Sequence, residues 1–528
     1  MRVLLVNQGC AQTWWSIDIV LKRLGKKLLE PPLGLLTIAG LLPKDWDLRL
    51  IELAVREISE DEWQHCDIVM VSGMGVQAPG IVATIKEAKK RGKKVVVGGP
   101  LVFHVPEEAV KAGADIVVKG EGELAMPLVL QALERGDSGV VIEGKGRPNL
   151  EESPLPRFDL VDLSLYAQMN AQFSRGCPFR CEFCDITLMY GRHVRTKSPG
   201  QIIRELQNLY DLGWRKHVFM VDDNLIGNPM RAKALLKELV PWVKERGYPF
   251  VLDAQASVNL AAYPDLMDLM VEAGFYKVFL GIETPDKDTL KLAKKHQNAV
   301  VDLDAVCRKI NSAGLQIIAG CVLGFDNESR GADQRLIDFA SRNQIPETFV
   351  TLLQVGPGTD LNERLRREGR LLPTAWDEEI GSQTSLMNFV PTRPASEIVE
   401  EFIRVYDVLY QPEAFLERAY NHFARMERPP VKKRLPFPTH RERVALTVML
   451  FKQGFLYPSR LKFWKLFFKA LIKFPGRIDQ FITYCILSEH YFEYRETIRT
   501  RLRAKLAAHK DLAEPPPRIE ERRAAPGA

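Results

Sequence analysis

Cys177, Cys181 and Cys184 stand together in the run Cys-Pro-Phe-Arg-Cys-Glu-Phe-Cys. Thiolates spaced by three and two residues can wrap one loop around a cubane iron–sulfur cluster, each on its own iron, leaving the fourth iron open for a substrate. A zinc ion is the structural rival. It needs four protein ligands, or three and a water, and His193 or His217 could complete such a set. The predicted strand before the loop and the aromatic residue before its last cysteine favour the cluster. Cys10, Cys66, Cys307, Cys321 and Cys485 are isolated and read as structural thiols, since eight cysteines in 528 residues are too sparse for a disulfide scaffold.

The elements that must position this loop follow an α/β alternation. Strands are predicted at AQFSR (171–175), HVFMVD (217–222), FVLDAQ (250–255), KVFLGIE (277–283), LQIIAGCVLG (315–324) and TFVTLLQV (348–355). Helix-length segments such as 202–214, 230–247 and 266–275 lie between them. Six such units predict a partial (β/α)6 barrel, with its active site at the carboxyl ends of the strands. Asp222 and Asp223 fall after the second strand and Glu283 after the fourth; Gly320 to Phe325 follows the fifth strand's apolar run, and Gln354 to Thr359 closes the sixth. Read without any ligand, these acids are solvated loop residues or helix caps.

A first alternation precedes the barrel, with apolar runs at 3–7, 48–53, 67–73, 94–99 and 115–120 and a helix-length stretch at 79–92. It predicts a doubly wound, Rossmann-like parallel sheet, whose ligands bind at the strands' carboxyl ends. Those ends read Asn7-Gln8, Ser72-Gly73-Met74, Gly98-Gly99-Pro100 and Gly120-Glu121-Gly122-Glu123. Small residues there leave room for a bulky planar group, or simply make tight turns. The expected order is therefore a doubly wound domain (1–145), a proline-containing linker (146–168), the barrel (169–390), a helical domain (391–512) and a proline-rich disordered tail (513–528).

Composition sets outer limits. An apolar fraction of 46% with 27% charged residues is that of a folded soluble chain, and a net charge of +6 over 528 residues gives no argument for nucleic acid. Without a long apolar run or a signal-peptide pattern, the expected location is the cytoplasm.

The cysteine loop resembles that of the radical S-adenosylmethionine (SAM) superfamily. The resemblance implies a [4Fe-4S] cluster on Cys177, Cys181 and Cys184 whose open iron binds the SAM amino and carboxylate groups, with electron transfer cleaving SAM to a 5'-deoxyadenosyl radical. It also implies SAM contacts from Asp222 and Asp223 at the amino end, Glu283 at the ribose, Gly320 near the adenine, and Gln354. The doubly wound domain resembles the cobalamin-binding domain of the class B enzymes, which places cobalamin against Ser72, Gly73, Met74, Gly98, Gly99, Gly120 and Glu121. The Asp-x-His-x-x-Gly element for a lower histidine ligand is absent, since His65 and His104 have the wrong neighbours, so no histidine is expected on the cobalt.

Thr13 to Ser16, Pro31 to Leu36, FSRGCPFRCEFCDITLMYGR, VDDNLIGN, Ala256 to Leu260 and FLGIETPD are similar to the hopanoid methylase-like branch, over roughly residues 1–375. QVGPGT at 354–359 departs from the QALPNT-like pattern of that branch. The resemblance implies a methyltransferase acting on an unactivated carbon of a hydrophobic, lipid or polycyclic substrate, supplied with electrons by a donor such as flavodoxin or ferredoxin. It names no proton acceptor. Two alternatives stay open: radical chemistry that makes a carbon–carbon bond, a ring or an oxidative rearrangement without methyl transfer, and a non-catalytic cobalamin or iron–sulfur sensor.

Between Arg460 and Arg477 there are six basic residues and no acid. Lys462, Lys465, Lys469 and Lys473 recur at helical spacing, and Trp464, Phe467, Phe468 and Leu471 are read as the opposite face. Such a helix either touches an anionic membrane surface or packs its aromatics on the barrel with the lysines solvated.

Overall fold

The computed structural model describes residues 1–9, 12–326, 328–373, 382–428, 431 and 439–508. Cys10 and the tail expected beyond residue 512 lie outside the described residues. The first sheet contains β1 (Arg2–Asn7), β2 (Asp47–Glu52), β3 (Ile68–Ser72), β4 (Lys94–Gly98), β5 (Ile116–Lys119) and β6 (Val140–Glu143), in the order β2-β1-β3-β4-β5-β6. Every pairing is parallel. Val, Ile and Leu fill both faces of its central strands, as a sheet covered by helices on both sides requires. β6 was not foreseen. It is a short edge strand between two glycines whose alternate residues are exposed, although Val140-Val141-Ile142 is an apolar run like that of β5.

Residues 146–168 hold three short 3-10 turns and bury Phe158 and Tyr166. The Tyr166 hydroxyl donates to Glu52 at the end of β2, which ties this segment to the first sheet.

The barrel strands are β7 (Gln168–Ala171), β10 (His217–Met220), β11 (Val251–Ala256), β12 (Phe275–Glu283), β13 (Gln316–Leu323) and β14 (Glu347–Leu352), parallel throughout and in the order β7-β10-β11-β12-β13-β14. One prediction needs correction here. The first barrel strand ends at Ala171, and Ser174–Arg175 (β8) instead pairs antiparallel with Arg195–Thr196 (β9). The chain breaks direction because the Phe173 and Ser174 N–H groups are claimed by Asp222 after β10 rather than by a neighbouring strand. The cysteine loop is thereby closed at its base by a small hairpin.

The barrel is open, so β14 has a free edge. Helix Ala395–Leu409 and its capping residue Tyr410 cover it through two hydroxyls. Tyr406 donates to the Val350 carbonyl (2.8 Å) and accepts from the Val350 N–H (3.3 Å). Tyr410 does the same at Thr348, at 2.8 and 3.0 Å. These side chains satisfy backbone groups that an unpaired edge would leave bare. Helices Pro412–Ala424, His440–Phe451, Arg460–Lys473 and Ile478–Ala508 complete the C-terminal part. No helix among the described residues is long and apolar enough to cross a membrane.

Candidate functional site

The three thiols lie in one loop beyond the carboxyl end of β7, and Cys184 feels the field of both Cys181 and Cys177. Burial raises the pKa of all three, so without a metal they stay protonated; iron is the acid that would convert them to thiolate ligands. Gly176 enters the loop at φ +96°, and a side chain there would meet the His193 carbonyl at 2.8 Å, so only glycine fits. No group of three or more His, Cys, Asp or Glu among the described residues is gathered for a single metal ion. His217, offered above as a zinc ligand, starts β10 at the opposite end of the barrel and faces Asp253 at 3.3 Å.

The expected SAM contacts divide into two groups. Asp222 is fully buried and accepts from the Phe173 and Ser174 N–H groups and from the Ser174 hydroxyl at 2.5 Å. It holds the entry to the cysteine loop, which corrects its reading as a SAM contact. Asp223 is different. Its Oδ2 is buried with no hydrogen-bond partner among the described residues, and burial together with Asp222 and Asp185 pushes its carboxyl up to about 7. A buried, unpartnered carboxylate oxygen beside Cys177 suits a cation, such as the SAM ammonium.

Glu283 ends β12 at φ +62° on an irregularity of the β12–β13 register, and its carboxylate accepts from Lys295. Burial opposes the Lys295 charge, but Glu283 and Cys181 outweigh it and raise its pKa. Asn298 braces this bulge by donating to the Gly281 and Ile282 carbonyls at 2.9 and 3.0 Å. Lys295 was missed from the sequence, because nothing in Lys-Lys-His marks one lysine as buried.

Gly320 needs correction. β13 runs to Leu323, so Gly320 is mid-strand, and a Cβ there would meet the Phe279 ring at 2.4 Å. Its smallness admits Phe279 to the lumen. Gln354 donates to the Leu386 carbonyl at 2.6 Å, and the loop after it lies against the cysteine loop, Gly356 near Asp185 and Gly358 near Leu188.

The carboxyl edge of the first sheet faces this loop. Gly99 (φ +92°) and Gly120 (φ +101°) hold turns that strain other residues, and a side chain at Gly99 would strike the Ser72 hydroxyl at 2.3 Å. A side chain at Gly73 would likewise meet Gln77 at 2.7 Å, and Met74 beside these turns is exposed. Glu121, expected at cobalamin, is instead buried between Arg175 (2.9 Å) and Arg195 (2.8 Å) of the β8–β9 hairpin, an ion-pair clamp between the two sheets. His104 adds a second bridge, Nε2 to Asp185 at 2.9 Å.

Below the strand ends, alternate residues of β12 and β14 point into the lumen. Trp15 stands there with Phe279 and Phe349, at ring separations of 5.7 and 5.2 Å. The pair Trp14–Trp15 is visible in sequence, but its destination inside the barrel is not.

The radical SAM superfamily model matches residues 171–340 and the B12-binding domain model residues 26–130, while a domain of unknown function (DUF4070) matches 359–504. The chain is 45% identical to an uncharacterized methyltransferase of Synechocystis sp., covering 96% of this chain and 94% of that one. It is 33% identical to the hopanoid C-2 methylase of Rhodopseudomonas palustris, covering 89% of each. Among solved structures, the cobalamin-dependent SAM radical enzyme OxsB shares the fold, with a TM-score of 0.58 at 16% identity over 98% of this chain and 82% of that one. With its cysteine loop and its doubly wound parallel sheet ahead of the barrel, the chain belongs to the cobalamin-dependent radical SAM enzymes, in the hopanoid methylase-like branch of methyltransferases, with a [4Fe-4S] cluster, SAM and cobalamin as its cofactors.

Proposed function

We propose that the protein transfers a methyl group to an unactivated carbon of a hydrophobic, lipid or polycyclic substrate. The observation that carries this reading is the aromatic lumen: the 37%-exposed Trp15 with Phe279 and Phe349 offers flat apolar surface within reach of the strand ends. A substrate stacked there would bury large apolar area without demanding many hydrogen bonds. The name of the Rhodopseudomonas palustris relative, a hopanoid C-2 methylase, supports the same substrate class.

When bound, the cluster and SAM supply a carbon radical and cobalamin supplies the methyl group. Cys177, Cys181 and Cys184 would hold the cluster, Asp223 would meet the SAM ammonium, and Glu283, oriented by Lys295, would accept from the ribose hydroxyls. Ser72, Gly73, Met74, Gly98, Gly99 and Gly120 would frame the corrinoid. A low-potential donor such as flavodoxin or ferredoxin would supply the electrons.

The test is anaerobic reconstitution with iron, sulfide and hydroxocobalamin, followed by reduction with SAM and a hopanoid extract. Expected are 5'-deoxyadenosine, retained corrinoid and a product heavier by one CH2, all but the corrinoid lost in the Cys177→Ala, Cys181→Ala, Cys184→Ala variant. A product lighter by two hydrogens would replace methyl transfer with ring closure or desaturation.

A further inference from the structure

The structure assigns a second surface, on the C-terminal helices, to docking on an anionic lipid bilayer. The helix Arg460–Lys473 buries Phe463, Leu466 and Ala470 against the protein. Phe468 and Leu471, read above as the face opposite the lysines, are exposed and share the outer face with them. Leu461 and Ile472 stand on that face 79% and 84% exposed.

A neighbouring turn extends it. The π-helical turn Lys452–Leu456 presents Phe455, 62% exposed, and is fixed to the helix because Trp464 Nε1 donates to the Gly454 carbonyl at 2.9 Å. Phe455, Trp464 and Phe468 form a file of rings, 6.1 and 5.7 Å apart. This face packs on no element among the described residues.

Charge decides the occupant. Arg460, Lys465, Lys469 and Lys473 are exposed and make no ion pair among the described residues, and no acid lies between Arg460 and Arg477. Lys462 is the exception, paired with Glu417 at 2.6 Å. A second copy of the chain docking here by twofold symmetry would set these lysines against lysines. Lipid phosphates neutralise them, while the rings and Ile472 enter the headgroup boundary.

The test uses the full chain and phosphatidylcholine vesicles with or without about a quarter phosphatidylglycerol, read by co-sedimentation. Expected is at least about tenfold stronger partitioning to the anionic vesicles, weakening with salt. Lys465→Glu, Lys469→Glu, Lys473→Glu should abolish that preference, and Phe455→Ser, Phe468→Ser should weaken binding to both. Cluster-dependent 5'-deoxyadenosine formation in detergent-free buffer reports that the variants are folded. Equal binding to neutral vesicles, no binding, or a concentration-dependent dimer dissolved by the same substitutions would overturn the proposal. Because no substrate enters the assay, failure here leaves the methyl-transfer reading untouched, and failure of that reading leaves this one standing.

Discussion

Lys295 and Glu283 form a buried ion pair beside Cys181, and pairs of this kind are most costly when broken on one side. Replacing Lys295 with Met should destabilise the protein by about 3–5 kcal/mol in denaturant unfolding, since Glu283 is left buried and alone. The double variant Lys295→Met, Glu283→Leu should recover part of that loss while still failing to bind SAM normally. Gly320 gives a steric counterpart. Gly320→Ala forces a methyl group onto the Phe279 ring and should cost about 1–3 kcal/mol, relieved by a second change, Phe279→Leu. At this scale the sequence shows the cysteines, because their chemistry is local. It hides Lys295 and the Phe279–Gly320 contact, whose partners lie on different elements.

Elements repeat the pattern. The central strands of the first sheet are legible because they are β-branched runs buried on both faces, whereas β6 is a half-exposed edge and β8 and β9, two residues each, are too short to carry a periodicity. Helix Pro412–Ala424 shows what a buried histidine adds. His422 lies within 3.1 Å of the Gln344 carbonyl and 3.3 Å of the Asn311 amide, and burial pushes it down to about 3 from 6.5. The unfolded chain binds a proton at this position below pH 6.5 and the folded chain does not until about 3. Stability therefore falls as pH drops through that window, by about 1.4 kcal/mol per pH unit from this group. Between pH 7 and pH 5, His422→Gln should lose about 2 kcal/mol less than the wild type in urea unfolding. On the next helix but one, the lysines were legible as a basic row, but which apolar residues turn inward depended on what the helix packs against.

Across the whole molecule, the first sheet is fastened to the barrel through Glu121, Arg175 and Arg195, three charges with almost no exposure. Glu121→Ala should leave Arg195 without its ion pair, while Arg175 keeps Glu123 at 2.9 Å, and cost about 3 kcal/mol. Limited proteolysis within residues 146–168 should then accelerate. Residues from 12 to 24 are held by the far end of the chain, since His490 contacts the Thr13 carbonyl and Trp14 donates to Tyr410 at 3.0 Å. The hydroxyls of Tyr406 and Tyr410 have a consequence for the chain's life before it is complete. Until helix Ala395–Leu409 has been synthesised, β14 is a ready template on which another nascent chain can add a strand. The cover for that edge comes from the region matched by the domain of unknown function, so a fragment ending near residue 390 should be recovered in the insoluble fraction, however intact its cysteine loop.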